Sequence, residues 1–254
     1  MARNRDDRPV SPVATGGLLL AALTAVASAG AGLGYRFGWW SLGTGFGVLR
    51  YAVYAAVAAM VISALGMVLA RPGGGRRGLY RALAGLVIAA VVFGVPFSYV
   101  RAAREVPPIH DITTDTENPP PFVAILPLRA GAQNPPEYGG EAVAAQQRAA
   151  FPAIQPVQAP LPPDRAFDLA LDTAEGQGWE IVAAVPSEGR IEATDTTPWW
   201  GFKDDIVIRI RPEDSGSRLD IRSESRVGVS DLGTNAARVG AYLAELQDRI
   251  GVAD

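Results

Sequence analysis

The sequence predicts three N-terminal transmembrane helices followed by an α+β two-layer domain, in which two helices cover an antiparallel four-stranded sheet. Three observations lead there. Residues 1–100 contain three long stretches without a charged residue. Charge is segregated: residues 1–100 hold nine of the 23 Lys and Arg but two of the 26 Asp and Glu, leaving 14 and 24 for the remainder. Beyond residue 164, apolar residues recur at helical spacing, then alternate in short runs, then return to helical spacing.

The charge-free stretches are Gly16–Gly34, Tyr51–Ala70 and Ala82–Val100. Each matches the roughly 20 residues a helix needs to cross a bilayer. Their Ala and Gly content suits close helix–helix approach. Arg3, Arg5 and Arg8 precede the first, and Arg71, Arg76, Arg77 and Arg81 surround the turn Pro72-Gly73-Gly74-Gly75. The intervening loop carries only Arg36 and Arg50, with Tyr35, Trp39 and Trp40 suited to a membrane interface. The positive-inside rule therefore puts the N-terminus and second loop in the cytoplasm and residues beyond 100 outside. A rival reading makes the first stretch a cleaved signal peptide at Ala27-Ser28-Ala29, although Asp6 and Asp7 spoil the basic leader. Both readings leave the C-terminal part on the same side. No ionisable residue falls inside the spans, which favours an anchor or assembly surface over an ion path. Pro96 could kink the third span.

Residues 101–163 read as a connector or a strap over the following domain, because 13 of the chain's 20 prolines fall between Glu105 and Pro163. A short apolar run, Phe122–Leu128, and a short helix near Gly140–Arg148 interrupt it. Residues 164–254 carry the two-layer domain. Asp164 is the expected N-cap of a helix with Phe167, Ala170, Leu171 and Ala174 inward. Trp179, Ile181, Ala183 and Val185 alternate on one strand, which turns through Ser187-Glu188-Gly189 into Arg190–Asp195. Thr197–Phe202 is an aromatic connector, with Trp199, Trp200 and Phe202 read as packing residues or as a contact with the membrane surface. Asp205–Arg211 points Ile206, Ile208 and Ile210 inward. The next strand places Leu219, Ile221, Ser223, Ser225 and Val227 on one face and Asp220, Arg222, Glu224 and Arg226 on the other. Gly228 ends it, Ser230, Asp231 and Thr234 are candidate caps, and Val239, Tyr242 or Leu243, Leu246 and Ile250 line the last helix.

Four stretches carry a family resemblance: His110–Asp115 (HDITTD), Arg190–Thr194 (RIEAT), Asp204-Asp205, and Arg222–Arg238 (RSESRVGVSDLGTNAAR). Over roughly residues 109–250 the chain resembles the bacterial domain-of-unknown-function 1499 family. The resemblance implies membrane or envelope association and supplies no catalytic residues.

Two readings of the motif residues stand side by side. In the first, His110 and Asp111 tie the connector down, the arginines pair with Glu224, Asp220 and the aspartates, and Asp231 caps the last helix. In the second, His110, Asp111, Asp115, Asp204, Asp205, Arg222, Ser223, Ser225, Arg226, Ser230, Asp231, Asn235 and Arg238 contribute to a binding site for a carboxylate or anionic head group. His110 is the chain's single histidine, and imidazole is the side chain suited to proton transfer near neutral pH. None of the serines sits in a G-x-S-x-G elbow. Without cysteine and with one histidine, a zinc site lacks ligands, and adjacent aspartates alone make a poor calcium loop. The acidic second half argues against nucleic acid.

The expected function is therefore a multi-pass protein of the bacterial inner membrane. Its outward domain binds an envelope protein or anionic small ligand without catalysis, and no cofactor or metal is expected. The alternatives are an envelope hydrolase or lyase using His110 with Asp111 or Asp231, and an assembly subunit of a larger membrane complex.

Overall fold

The computed structural model describes residues 8–253. Arg3, Arg5, Asp6 and Asp7, on which the reading of the basic leader partly rests, lie outside the described residues. The chain divides into two compact units, one of Met1–Arg101 with Pro198–Gly201, the other of Ala102–Thr197 with Phe202–Asp254.

The first unit contains α1 (Pro12–Arg36), α2 (Leu42–Leu69) and α3 (Leu79–Ala102), each long and apolar enough to cross a membrane. All three extend the predicted spans at their N-terminal ends. Ser11 and Ser41 start the first two by accepting from the amides of Ala14 and Thr44. Pro96 lies inside α3. The helices meet where side chains are smallest: a Cβ added to Gly17 or to Gly85 would come within 2.6 Å of Ser63 Oγ. That approach is what glycine permits in a bundle whose outer surface is apolar. At the opposite end, the indoles of Trp40 and Trp199 donate to the carbonyls of Ala31 and Ala29, and Trp200 lies 4.7 Å from Phe46.

The second unit is built on one antiparallel sheet. Its strands are β1 (Asp111–Thr113), β2 (Val157–Ala159), β3 (Glu180–Val185), β4 (Arg190–Thr196), β5 (Lys203–Glu213) and β6 (Gly216–Ser225). Its helices are α4 (Glu141–Ala150), α5 (Pro163–Gly176) and α6 (Thr234–Ala253). The order is β1-β6-β5-β4-β3, and β2 also pairs with β6. The expected four-strand meander β3–β6 is present, but among the described residues the sheet has six strands. Left alone, β6 would expose a full row of unpaired N–H and C=O groups. Asp111–Thr113 covers Arg222–Glu224, and Val157–Ala159 covers Ser217–Leu219. The outer edge of β1 is closed by Gln147 of α4, whose amide accepts from Thr113 N–H (3.0 Å) and donates to its carbonyl (2.6 Å).

One face of the sheet carries Ile191, Ile206, Ile208, Ile210, Leu219 and Ile221 against Phe167 and Ala170 of α5 and Val239, Tyr242 and Leu246 of α6, all buried. Each such aliphatic side chain contributes about 1.5–3 kcal/mol on leaving water. Trp179 stacks on Tyr242 at 5.2 Å, and the Tyr242 hydroxyl donates to Ala170 O.

Two local expectations change. Asp164 is not the cap of α5: the helix begins at Pro163 with Pro162 in the cap position and Asp164 in the first turn. Proline's fixed φ suits a helix start, so the helix begins two residues early. In β3 the register shifts between Ile181, opposite Ala193, and Ala183, opposite Glu192. This bulge breaks the alternation, so Ala183 and Val185 pair with Glu192 and Arg190 rather than sharing the face of Ile181.

Candidate functional site

The second face of the sheet holds the charges. Pairing sets Asp205 of β5 beside Glu224 of β6, and Glu224 beside Asp111 of β1, so three carboxylates line up across adjacent strands. All three are buried, at 0%, 1% and 4% exposure. Such a row is tenable only with cations between its members.

Three arginines supply them. Arg226 grips both oxygens of Asp205 (2.8 and 2.7 Å). Arg129 bridges Asp205 (2.7 Å) and Glu224 (2.8 Å). Arg222 grips both oxygens of Asp111 (2.9 and 2.8 Å) and reaches Glu224 at 3.2 Å. The result is an unbroken chain, Arg226–Asp205–Arg129–Glu224–Arg222–Asp111. Aromatic rings flank it: the Arg222 guanidinium lies 4.7 Å from the Phe122 ring centre and 5.7 Å from that of Tyr138. Burial, helped by the neighbouring Asp111 charge, pushes Glu224 up to about 8 against the pull of Arg129 and Arg222. Burial also raises Asp111, against the opposing hydrogen bond from Arg222.

Residues 114–140 form a strap over this face, and two further anchors hold it. The Glu192 carboxylate of β4 accepts from the amides of Val123, Ala124 and Ile125, at 2.9–3.2 Å. These amides open the short 3₁₀ turn Leu126–Arg129 that delivers Arg129. Asp115 and Asp220 share Arg209, Arg211 and Arg218, which ties the start of the strap to β5 and β6.

The remaining motif residues lie at the end of the helix-covered face. Asn235 of α6 is their hub. Its amide donates to His110 O and Ser225 Oγ (both 2.9 Å), while its carbonyl oxygen accepts from Ser223 Oγ and Arg238. Arg238 also donates to Asp195 and Asp204. Asp231 caps α6 by accepting from the amides of Gly233 and Asn235, and Ser230 accepts from Leu232 N–H. The His110 ring lies 3.2 Å from the Val229 carbonyl through Nδ1.

The thirteen candidate residues thus occupy two places. Asp111, Asp115, Asp205, Arg222 and Arg226 belong to the strap-covered ionic face. Asp204, Ser223, Ser225, Asn235 and Arg238 lie on the other side, with Ser230, Asp231 and His110 beside the start of α6. His110 and Asp111 are adjacent in sequence, yet their side chains bond to different elements. Sequence reasoning did not single out Arg129, Glu192 or Gln147. Arg129 could have been suspected as the one charge after the apolar run Phe122–Leu128, and Glu192 as a carboxylate inside a strand of the resembling motif. An open cleft of about 480 Å³ lies beside α4; Arg148 and Arg218 line it, and Asp115 is the one candidate residue among its lining. Among the described residues no group of three His, Asp or Glu is arranged to hold a metal ion.

No curated protein and no solved structure matches the chain. A family model, protein of unknown function (DUF1499), matches residues 111–246, which run from the first strand of the ionic face into the last helix. That stretch takes in the whole sheet and every residue of the two polar clusters except His110, so the chain belongs to the DUF1499 family.

Proposed function

We propose that this is a membrane-anchored envelope protein whose second unit faces away from the cytoplasm and binds an envelope component or partner protein without catalysing a reaction. The observation that carries this reading is the saturation of the motif. Every nitrogen of the Arg222 guanidinium is engaged, by Asp111, Glu224, Pro120 O and Pro136 O. The Asp111 carboxylate is gripped by Arg222, and Asp231 holds the start of α6. Groups committed in this way build a rigid platform. On its outer side the strap presents Val123, Leu126 and Leu128, exposed at 49%, 44% and 53%, as a contact surface.

The test places a photo-crosslinking residue at Leu126 or Leu128 in the full-length protein in a bacterial host. A discrete adduct, absent with the probe at the exposed Asp214 of the far β5–β6 turn, supports the reading. Turnover of a lipid or peptidoglycan-type substrate by the purified protein, abolished by His110→Ala, would replace it with the hydrolase or lyase alternative.

A further inference from the structure

The three-helix unit has one strongly basic end. It is formed by the segment before α1, the connection from α2 to α3, and the first turn of α3. Arg71, Arg76, Arg77 and Arg81 are exposed there, with Arg8 half-buried beside them. Residues 8–104 contain no Asp or Glu, and among the described residues none of these guanidiniums has a carboxylate partner.

This end is also ordered by its own backbone. Ser11 N–H donates to Arg77 O (2.8 Å) and Arg77 N–H to Pro9 O (3.1 Å). Arg8 donates to Gly74 O (2.7 Å), and Arg81 to the Thr15 hydroxyl (3.1 Å). Two of the five cations thus tie the loop to its neighbours, while the guanidiniums of Arg71, Arg76 and Arg77 have no partner among the described residues. Directly next to them the helix flanks become apolar and exposed: Val68 is 60% exposed, Leu69 42% and Leu83 43%, and Tyr80 stands out at 86%.

We propose that this end is a binding site for anionic phospholipid. The headgroup phosphate sits among Arg71, Arg76 and Arg77, and the acyl chains run along the exposed flanks of α2 and α3. Charge complementarity selects the headgroup, since a phosphodiester offers the acceptor oxygens that guanidinium groups pair with. The apolar flanks select a lipid over a free anion. Cationic residues grouped at the membrane end of a helix recognise anionic lipid in this way. The site does not depend on what the second unit binds.

The full-length protein in mild detergent is stripped of lipid and titrated with phosphatidylglycerol or phosphatidylcholine, and bound lipid is counted by native mass spectrometry. Phosphatidylglycerol is retained in preference, and preference falls as salt rises. The variant R71Q/R76Q/R77Q weakens that retention on the order of a hundredfold, whereas R71K/R76K/R77K and the distant R50Q keep it. The salt series on the unaltered protein reads the site even if the glutamine variant fails to fold. Equal retention of the two lipids, or retention that the triple variant leaves unchanged, overturns the proposal. So does displacement of phosphatidylglycerol by millimolar inorganic phosphate, which would make the loop a free-anion site.

Discussion

The two faces of the sheet are buried to a similar depth by different chemistry. Ile208 and Ile221 on the helix-covered face are each 1% exposed, as is Glu224 on the strap-covered face, while Asp205 is fully buried. The apolar face is held by area removed from water and tolerates small changes of shape. The ionic face is held by arginines set between buried carboxyl groups, and its members are costly singly and stable only together. The difference teaches that burial alone does not reveal how a surface will respond to change: removing one methyl and removing one guanidinium are different kinds of damage.

The sharpest break of this comparison is Arg222→Ala. It leaves Asp111 without its principal partner and Glu224 with one, and it should destabilise the full-length protein by about 3–5 kcal/mol, read as a shift of the denaturant midpoint. A loss under 1 kcal/mol would show that the ionic chain does not hold the strap. Next comes pH. Glu224 is held at about 8, above its ordinary 4.5, so between those values the folded chain keeps a proton that the unfolded chain has released. The contribution of Glu224 to stability is then full below about pH 4.5 and is lost as pH rises to about 8. Glu224→Gln should flatten that slope, and an unchanged slope would assign it to other groups. On the apolar face, Ile208→Val should cost about 0.5–1.5 kcal/mol with no change in pH dependence. The smallest effect is expected of Arg211→Ala. Its side chain is 38% exposed, and Asp220 keeps Arg209 and Arg218, so a loss of about 0–1 kcal/mol should appear in the same unfolding measurement.

Much of the apolar face was legible in the sequence. Ile206, Ile208 and Ile210 alternate, and Val239, Tyr242, Leu246 and Ile250 recur at helical spacing, so period alone assigns them. The three spans were legible because length without charge admits few other uses. The ionic face was not, because Asp220, Arg222 and Glu224 alternate in the same way whether they face water or facing ions. The choice is made by Arg129, which reaches Asp205 and Glu224 from 76 and 95 residues away, a separation no local pattern carries. Strands β1 and β2, three residues each among prolines, are too short to show a period. For the site, the motif drew attention to both polar clusters, yet grouping Arg222 with Asn235 crossed the sheet. Strand parity already separates Arg222 from Ser223 and Ser225, the residues that Asn235 and Arg238 bind.

The central claim is that the strap is a permanent part of the fold, so that the ionic face is interior rather than a recognition surface. Hydrogen exchange at the amides of Val123, Ala124 and Ile125 in the full-length protein tests it most directly, because these groups are bonded to Glu192 only while the strap is closed. Protection comparable to that of the β5 and β6 amides is the predicted result. Exchange at the rate of an open loop would contradict it and turn the row Asp205, Glu224 and Asp111 into a surface that opens to solvent.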